Sequence, residues 1–340
     1  MRIMKQNTIL NTKQNVRPLI RSLHFSIRLL IGVLMAVPVC TGCVKRNLEM
    51  RSTPPLLPGE GYADIALRWD SEVRPQEVRF LFYDESGALV KAVAGLAGGF
   101  RGALPAGKYC LVVHNTDALH VDYRGTENYE TAEVFAQEKA YTGDLPPGER
   151  TPCILLEPET VFGTGVCNEW KLIEIIAGKV TQATVTPVEL TRKVRFHFSI
   201  RGDAEVASLT GVLNGVAPGI FLSSGKHNAS ASCAVEFTAT AASRAPVPDY
   251  TARISLFNLL TTLQSPDRTN TIHAALVLDN GRKLTTEVDL TPLLREIISG
   301  NGGQIPIEIA IAVTFTVKEA GLSSTVGKWT PGAGGGTDVN

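Results

Sequence analysis

The run Lys193-Val194-Arg195-Phe196-His197-Phe198-Ser199-Ile200 puts a large apolar side chain at every second position. A strand turns successive side chains to opposite faces, so Val194, Phe196, Phe198 and Ile200 share one side while Arg195, His197 and Ser199 share the other. A helix would scatter the same side chains around its axis. Ala63-Asp64-Ile65-Ala66-Leu67-Arg68-Trp69 and Val78-Arg79-Phe80-Leu81-Phe82-Tyr83 follow the same period. Asp84-Glu85-Ser86-Gly87 then supplies turn residues before Ala88–Val93, a hairpin signal with Gly87 where positive φ is needed. Leu104-Pro105-Ala106-Gly107-Lys108 is a second turn, and it feeds the alternating run Tyr109–Val113. Farther on, Asp279-Asn280-Gly281-Arg282 divides Ile272–Leu278 from Lys283–Leu290, and its Asn-Gly pair predicts a type I′ hairpin. Short strands punctuated by turns predict an all-β chain of antiparallel sandwiches rather than a βαβ array.

Two segments break that pattern. Residues 126–140 are helix-like but short, and are expected to form a loop excursion with one or two turns. Pro292–Ile298 is expected to form a short helix, with Thr291 as N-cap and Gly300 as stop. Ile307–Val317 reads as the last strand, and residues 321–340 as a Gly-rich tail carrying Trp329. The chain after Cys43 is about 300 residues, too long for one ordinary core. We place sandwiches at 62–160 and 180–320, on either side of a crossing marked by Gly163 and Gly165. Glu77-Val78-Arg79-Phe80 echoes Lys193-Val194-Arg195-Phe196, as two similar domains in tandem would.

The N-terminus addresses the chain. Leu29 to Val44 is an uncharged run of about 16 residues, where a helical membrane span needs about 20. A basic segment precedes it and Lys45-Arg46 follow, the order of a cleaved export signal over 1–42. Thr41-Gly42-Cys43 resembles the end of a lipobox, which implies that Cys43 carries the lipid, palmitate included, and becomes the new N-terminus. Cys40 is the poorer acceptor because Val39 stands where a small residue is needed. Residues 43–61, with Pro54, Pro55, Pro58, Gly59 and Gly61, read as a tether.

Beyond the signal lie Cys110, Cys153, Cys167 and Cys233, and an exported chain meets an oxidising compartment. Cys153 and Cys167 close a short loop and are the expected disulfide, with the other connectivities left open. Cys110 suits a buried thiol as well as a bridge.

Candidate chemistry is sparse. With 33 basic and 33 acidic residues, the chain lacks the basic footprint of a nucleic-acid partner. Gly102-Ala103-Leu104-Pro105-Ala106-Gly107-Lys108 fits a P-loop, but Tyr109 stands where Ser or Thr is needed and a strand follows instead of a helix. Cys40 and Cys43 have redox-pair spacing inside the export signal. His197 reads as a solvated strand histidine, and His114, His120, Asp117 and Asp122 match no metal-ligand spacing. No hydrolase motif is present, and scattered carboxylates give glycoside hydrolysis no support. Asn228-Ala229-Ser230 fits a glycosylation sequon. Trp69, Trp170 and Trp329 show no sugar-platform spacing; Trp69 is expected in the core, and Trp329 either covers the second sandwich or belongs to a contact surface. We expect no enzyme activity, no cofactor and no metal.

Val185-Thr186-Pro187-Val188-Glu189-Leu190-Thr191-Arg192-Lys193-Val194-Arg195-Phe196 and Leu209-Thr210-Gly211-Val212-Leu213-Asn214-Gly215-Val216-Ala217 carry a family resemblance, together with the Leu104–Tyr109 turn, Trp329 and the lipobox. The chain resembles the fimbrillin-like lipoproteins of Bacteroidetes-type bacteria, specifically the FimB/Mfa-type anchor or accessory subunits of fimbriae. The resemblance implies two transthyretin-like or Ig-like sandwiches and an outer-membrane lipoprotein at the cell surface or fimbrium base. It also implies association with other fimbrillin-like subunits by strand pairing, which an open sheet edge permits. The absence of an alternating run after Val317 argues against a C-terminal donor strand, and so for anchor over shaft. Surface-exported relatives tend to carry acidic residues behind the lipid cysteine, whereas Lys45 and Arg46 follow here, which leaves the periplasmic face open. The competing class is a glycan-binding lipoprotein of a polysaccharide-uptake system.

Overall fold

Strand formation follows the alternation closely. In chain order the first half gives β1 (Glu60–Leu67), β2 (Glu77–Tyr83), β3 (Leu89–Leu96), β4 (Gly99–Pro105) and β5 (Gly107–Asn115). Then come β6 (Val121–Arg124), β7 (Glu133–Ala136), β8 (Glu138–Lys139), β9 (Ile154–Leu155), β10 (Phe162–Gly163) and β11 (Ile173–Ile175). β12 (Val180–Val185) and β13 (Val188–Glu189) lead into β14 (Arg192–Arg201), β15 (Val206–Val216), β16 (Gly219–Phe221) and β17 (Cys233–Ala241). β18 (Asp249–Leu256), β19 (Thr271–Leu278), β20 (Lys283–Asp289), helix α1 (Thr291–Gly300), β21 (Glu308–Lys318) and β22 (Gly321–Pro331) follow. This computed structural model describes residues 55–141, 153–164, 172–202, 205–242, 249–260, 269–301, 305–319 and 321–331, with side chains as far as 327 in the last segment.

Two large sheets pack as sandwich-like domains. The first runs β12-β1-β4-β3-β2-β5-β10-β13, with β11 also on β5, and the second runs β20-β19-β15-β17-β18-β14-β21-β22. Pairing is mainly antiparallel, but β1–β12, β14–β21 and β9–β17 are parallel. The first sheet therefore gathers strands as late as Glu189, while β8 and β9 sit with the second. A third sheet, β16-β7-β6, joins a strand of the second half to two of the first.

The core has two apolar clusters. One face of the first sheet buries Val78, Phe80, Phe82, Phe100, Leu111 and Phe162. The opposite face of β2 and β5 sends Leu81, Tyr83 and Val112 into a larger cluster shared with Val134 of β7, Ile220 of β16 and the whole second sheet. Phe196, Phe198, Phe237 and Phe315 stack in that cluster with ring centroids 5.6–5.8 Å apart. Each fully buried aromatic of this kind contributes roughly 1.5–3 kcal/mol by leaving water. The alternation at Val194–Ile200 is what brings that stack to one face of β14.

A buried polar clasp ties the third sheet together. Glu133 is 3% exposed, and it accepts a hydrogen bond from Arg124 Nε at 2.8 Å and another from Asn228 Nδ2 at 2.9 Å. The Arg124 guanidinium also lies 4.6 Å over the Phe135 ring. At Gly215 a bulge shifts the β15–β17 register. Its φ is +79°, and a Cβ there would stand 2.2 Å from Asn270 Nδ2, so glycine is required on both counts.

Several expectations are corrected. Cys153 bonds to Cys233, not to Cys167. The parallel β9–β17 pairing sets Ala234 opposite Ile154, and Ala234 N donates to Cys153 O, which brings the cysteine Cα atoms to 4.7 Å. Cys167 lies outside the described residues, and Cys110 is a half-buried free thiol. In 126–140 the turns stop at Thr131, and the rest forms β7 and β8, because Val134 and Ala136 meet the core. The β19–β20 hairpin exists, but only Gly281, at φ +80°, is left-handed, so its turn is not type I′. Gly281 N donates to Leu278 O and Leu278 N to Arg282 O, the pattern of a three-residue loop with a glycine bulge. Helix α1 spans the expected segment, but Leu290 is its N-cap, without a side-chain bond; the Thr291 hydroxyl accepts Asn270 N instead. Residues 321–331 of the expected tail form β22, antiparallel to β21.

Candidate functional site

Two features are open to a partner, a cleft and a set of strand edges. The cleft, about 720 Å³, lies where the end of β5 meets the 155–160 segment and the strands β17 and β18. Asn115 organises one wall: its Oδ1 accepts Phe162 N at 2.8 Å, and its Nδ2 donates to Asp117 Oδ1 at 3.0 Å and to Thr160 O at 3.1 Å. Burial pushes the Asp117 carboxyl up, but hydrogen bonds from Gln76 N and Asn115 outweigh it and hold the group below its ordinary range. Glu159 accepts Leu119 N and Glu157 accepts Ser255 N, each at 3.1 Å, while Lys139 pairs with Glu236 at 2.7 Å. His120 sits at φ +62°, with Nδ1 2.9 Å from Glu157 O. Asp117, Glu157 and Glu159 are thus occupied in fixing backbone, and Glu236 in an ion pair, which is scaffold chemistry. Among the described residues, no three His, Cys, Asp or Glu side chains gather as a metal site.

The second feature is the edge of the first sheet. β12 is Val180-Thr181-Gln182-Ala183-Thr184-Val185, paired on one side to β1 and on the other to no strand among the described residues. It carries no charge, no proline and no glycine, and it is rich in β-branched side chains. Sheet edges are normally blunted by charge, proline or bulges, so this one is a template for pairing. β3 is also nearly free on its outer side, because it meets β4 only at Leu96–Gly99, but Lys91 reaches across to Ala103 O at 2.9 Å. In the second sheet the terminal strands β20 and β22 approach each other, with Ser324 Oγ 3.4 Å from Glu287 O and Arg282 bonded to Glu319 O.

The residues singled out in the sequence do not converge. Cys43 lies outside the described residues, as do Cys40, Cys167 and Trp170. His197 is exposed on β14. His114 is 1% exposed, its Nδ1 2.9 Å from Asn115 O and its ring 4.2 Å from that of Tyr123, whereas His120 faces the cleft. Burial drives the His114 pKa down to about 4. Asp122 accepts from Gln137, away from Asp117. The P-loop-like segment is strand, turn and strand, with no helix N-terminus for a phosphate. Asn228 is 9% exposed, and its amide is engaged by Glu133, so the sequon nitrogen is not presented to solvent. Trp69 is buried, donates to Ala97 O at 2.7 Å and packs edge-on against Phe162. Trp329 is a β22 residue opposite Ile311. β12 went unread as an edge because its register with β1 joins residues more than 110 positions apart.

A family model described as a domain of unknown function (DUF5119) matches residues 63–238, just over half of the 340 residues. The chain belongs to this family. A Bacteroides ovatus relative, described as a candidate fimbrium anchoring subunit Fim4B, is 27% identical over 190 residues. The alignment takes in 54% of this chain and 52% of the relative, so the chain spans about half the length of that relative. The fimbrial anchor protein Mfa2 from Porphyromonas gingivalis shares the fold with a TM-score of 0.51 at 11% identity, over 81% of this chain and 97% of that one. A Bacteroides thetaiotaomicron structure described as a candidate polysaccharide binding protein gives 0.50 at 12% identity, over 79% and 96%. At such identities the likeness is one of fold, and one fold carries both descriptions.

Proposed function

We propose that this family member is a non-enzymatic anchor or accessory subunit of fimbriae. In this reading it is held in the outer membrane by lipid on Cys43, at the cell surface or fimbrium base. It joins other fimbrillin-like subunits by strand pairing along β12. The observation that carries the reading is the six-residue uncharged edge of β12, open on its outer side among the described residues. The fimbrium-anchoring description of the Bacteroides ovatus relative supports the same role. Because β22 follows Val317, the case for anchor over shaft rests on that relative and on the lipobox.

The second reading, glycan capture for polysaccharide uptake, calls for aromatic side chains displayed on a sheet face. The large exposed apolar side chains among the described residues are all Leu, Val or Ile. That composition favours contact with protein or lipid over sugar stacking.

Gln182→Asp with Thr184→Asp puts two charges on β12 without touching the core, since both positions are exposed. Pull-down of the lipidated chain from envelopes should recover fimbrillin-like subunits, and the variant should lose them. Equal recovery by the variant removes β12 as the pairing edge, and recovery of glycan transporters alone supports the second reading. Cys43→Ala should move the protein out of the membrane fraction; a mature-sized product that still needs detergent for release refutes the lipid.

A further inference from the structure

The tether-proximal end of the first sheet carries an apolar patch. Leu57, Ile176 and Val180 are 66%, 43% and 57% exposed. They sit on segments that the backbone binds together. Glu60 N donates to Leu57 O at 3.0 Å, Gly178 N to Glu60 O at 2.8 Å, and Lys179 N to Ile176 O at 3.1 Å. Val180 pairs with Tyr62 in the β1–β12 register. These are the residues around the start of β1, where the chain arrives from Cys43. Large aliphatic side chains left in water on two adjoining loops and the first residue of β12 mark a contact surface.

The length of chain before the patch identifies the contact. Only 12 residues, 44–55, separate Cys43 from Leu56. A segment of that length spans about 20 Å as a coil and at most about 43 Å when fully extended. A lipid on Cys43 therefore keeps this end of the sheet within reach of the bilayer. We propose that Leu57, Ile176 and Val180 form a foot that rests on the phospholipid surface and stands β1 and β12 upright from it. This rests on the lipoprotein reading above. One cation, Lys179, and two carboxylates, Glu60 and Glu174, lie in these segments, so apolar insertion rather than charge supplies the attraction, and anionic and zwitterionic vesicles should serve equally. Leu96 is 71% exposed at the far end of the same sheet, about six residues or roughly 20 Å along the β1–β4 ladder, and provides an internal control.

The test is labelling by a phospholipid that carries a carbene precursor in its acyl chain. It is run on the native acylated chain in phosphatidylethanolamine–phosphatidylglycerol vesicles, and on the full mature chain held to similar vesicles by a hexahistidine before Val44 and a nickel-chelating lipid. Label is expected on peptides containing Leu57 and Ile176–Val180 and not on the one containing Leu96, in both arms. Ile176→Asp with Val180→Asp should abolish label at Leu57 while leaving the protein on the vesicle. Label confined to residues before Leu56, equal label at Leu96, or cross-linked dimers in place of lipid adducts overturns the foot. Absence of an acyl group on the native chain overturns the lipoprotein reading instead, and the nickel-held arm still decides the foot.

Discussion

Removing the Cys153–Cys233 disulfide tests both the corrected pairing and the joint between the two halves. The bridge spans 80 residues of sequence. Constraining a loop of that length in the unfolded chain is worth about 4.5 kcal/mol at 25 °C on the chain-entropy relation. The Cys153–Cys167 pairing expected from spacing would span 167 − 153 = 14 residues and be worth about 3 kcal/mol on the same relation. The compact unit beginning at Leu56 is about 285 residues long, with an unfolding entropy of about 0.6 kcal/mol/K. A loss of about 4.5 kcal/mol then lowers the melting temperature by about 7 °C, against about 5 °C for the short loop. The assay is thermal melting, followed by near-UV circular dichroism, of wild type, Cys153→Ala, Cys233→Ala, the double variant and Cys167→Ala. The first three substitutions should give equal drops, because one cross-link is lost in each case, and Cys167→Ala should melt with wild type. Reduced wild type should join the disulfide-free group. A drop under about 2 °C, or an effect of Cys167→Ala matching Cys153→Ala, refutes the reasoning.

Stability should also fall on acidification through His114. Its folded pKa is about 4, below the unfolded value of 6.5, so the unfolded chain takes up the proton first and stability is lost as pH drops from 6.5 toward 4. The loss is of the order of 2 kcal/mol by pH 5, and urea midpoints of His114→Gln should show a flatter profile over that window; parallel profiles refute it. Arg124→Ala leaves the Glu133 carboxylate, 4% exposed, without its cation and should cost about 3–5 kcal/mol by the same urea assay, whereas Glu133→Ala leaves Arg124, whose side chain is 53% exposed, to water and should cost less.

The fold was legible wherever one face of a strand was uniformly apolar. Val194–Ile200 and Val78–Tyr83 declared themselves because their alternate residues are Phe, Val, Ile or Leu. β22 did not, although its burial alternates: Leu322, Ser324 and Val326 are half-buried while Ser323, Thr325 and Gly327 are exposed. A serine at the middle inward position hid the period, because Ser324 faces the Glu287 carbonyl rather than apolar side chains. The disulfide was hidden for a different reason. Cys153 and Cys233 meet through a two-residue parallel pairing that local spacing cannot foretell. The β12 edge combines both difficulties, since its composition is legible as strand but its openness is a property of the whole sheet.

The position of β1 gives the proposed anchoring role a mechanical sense. In that role, a pull from a lipid on Cys43 would enter the folded body at the start of β1. β1 is flanked on both sides, by seven register pairs with β4 and six with β12. Inter-strand hydrogen bonds lie across the strand direction, so an axial pull loads them together in shear, while a pull at right angles would open them one at a time. β12 is parallel to β1, so a partner strand added to its outer edge would bring its load to the neighbour of the tethered strand. The path from partner to membrane then runs β12 to β1 to Cys43 without crossing the cleft or the third sheet. An anchor whose tether and partner edge lay on different sheets would instead transmit the pull through the Glu133 clasp and the disulfide.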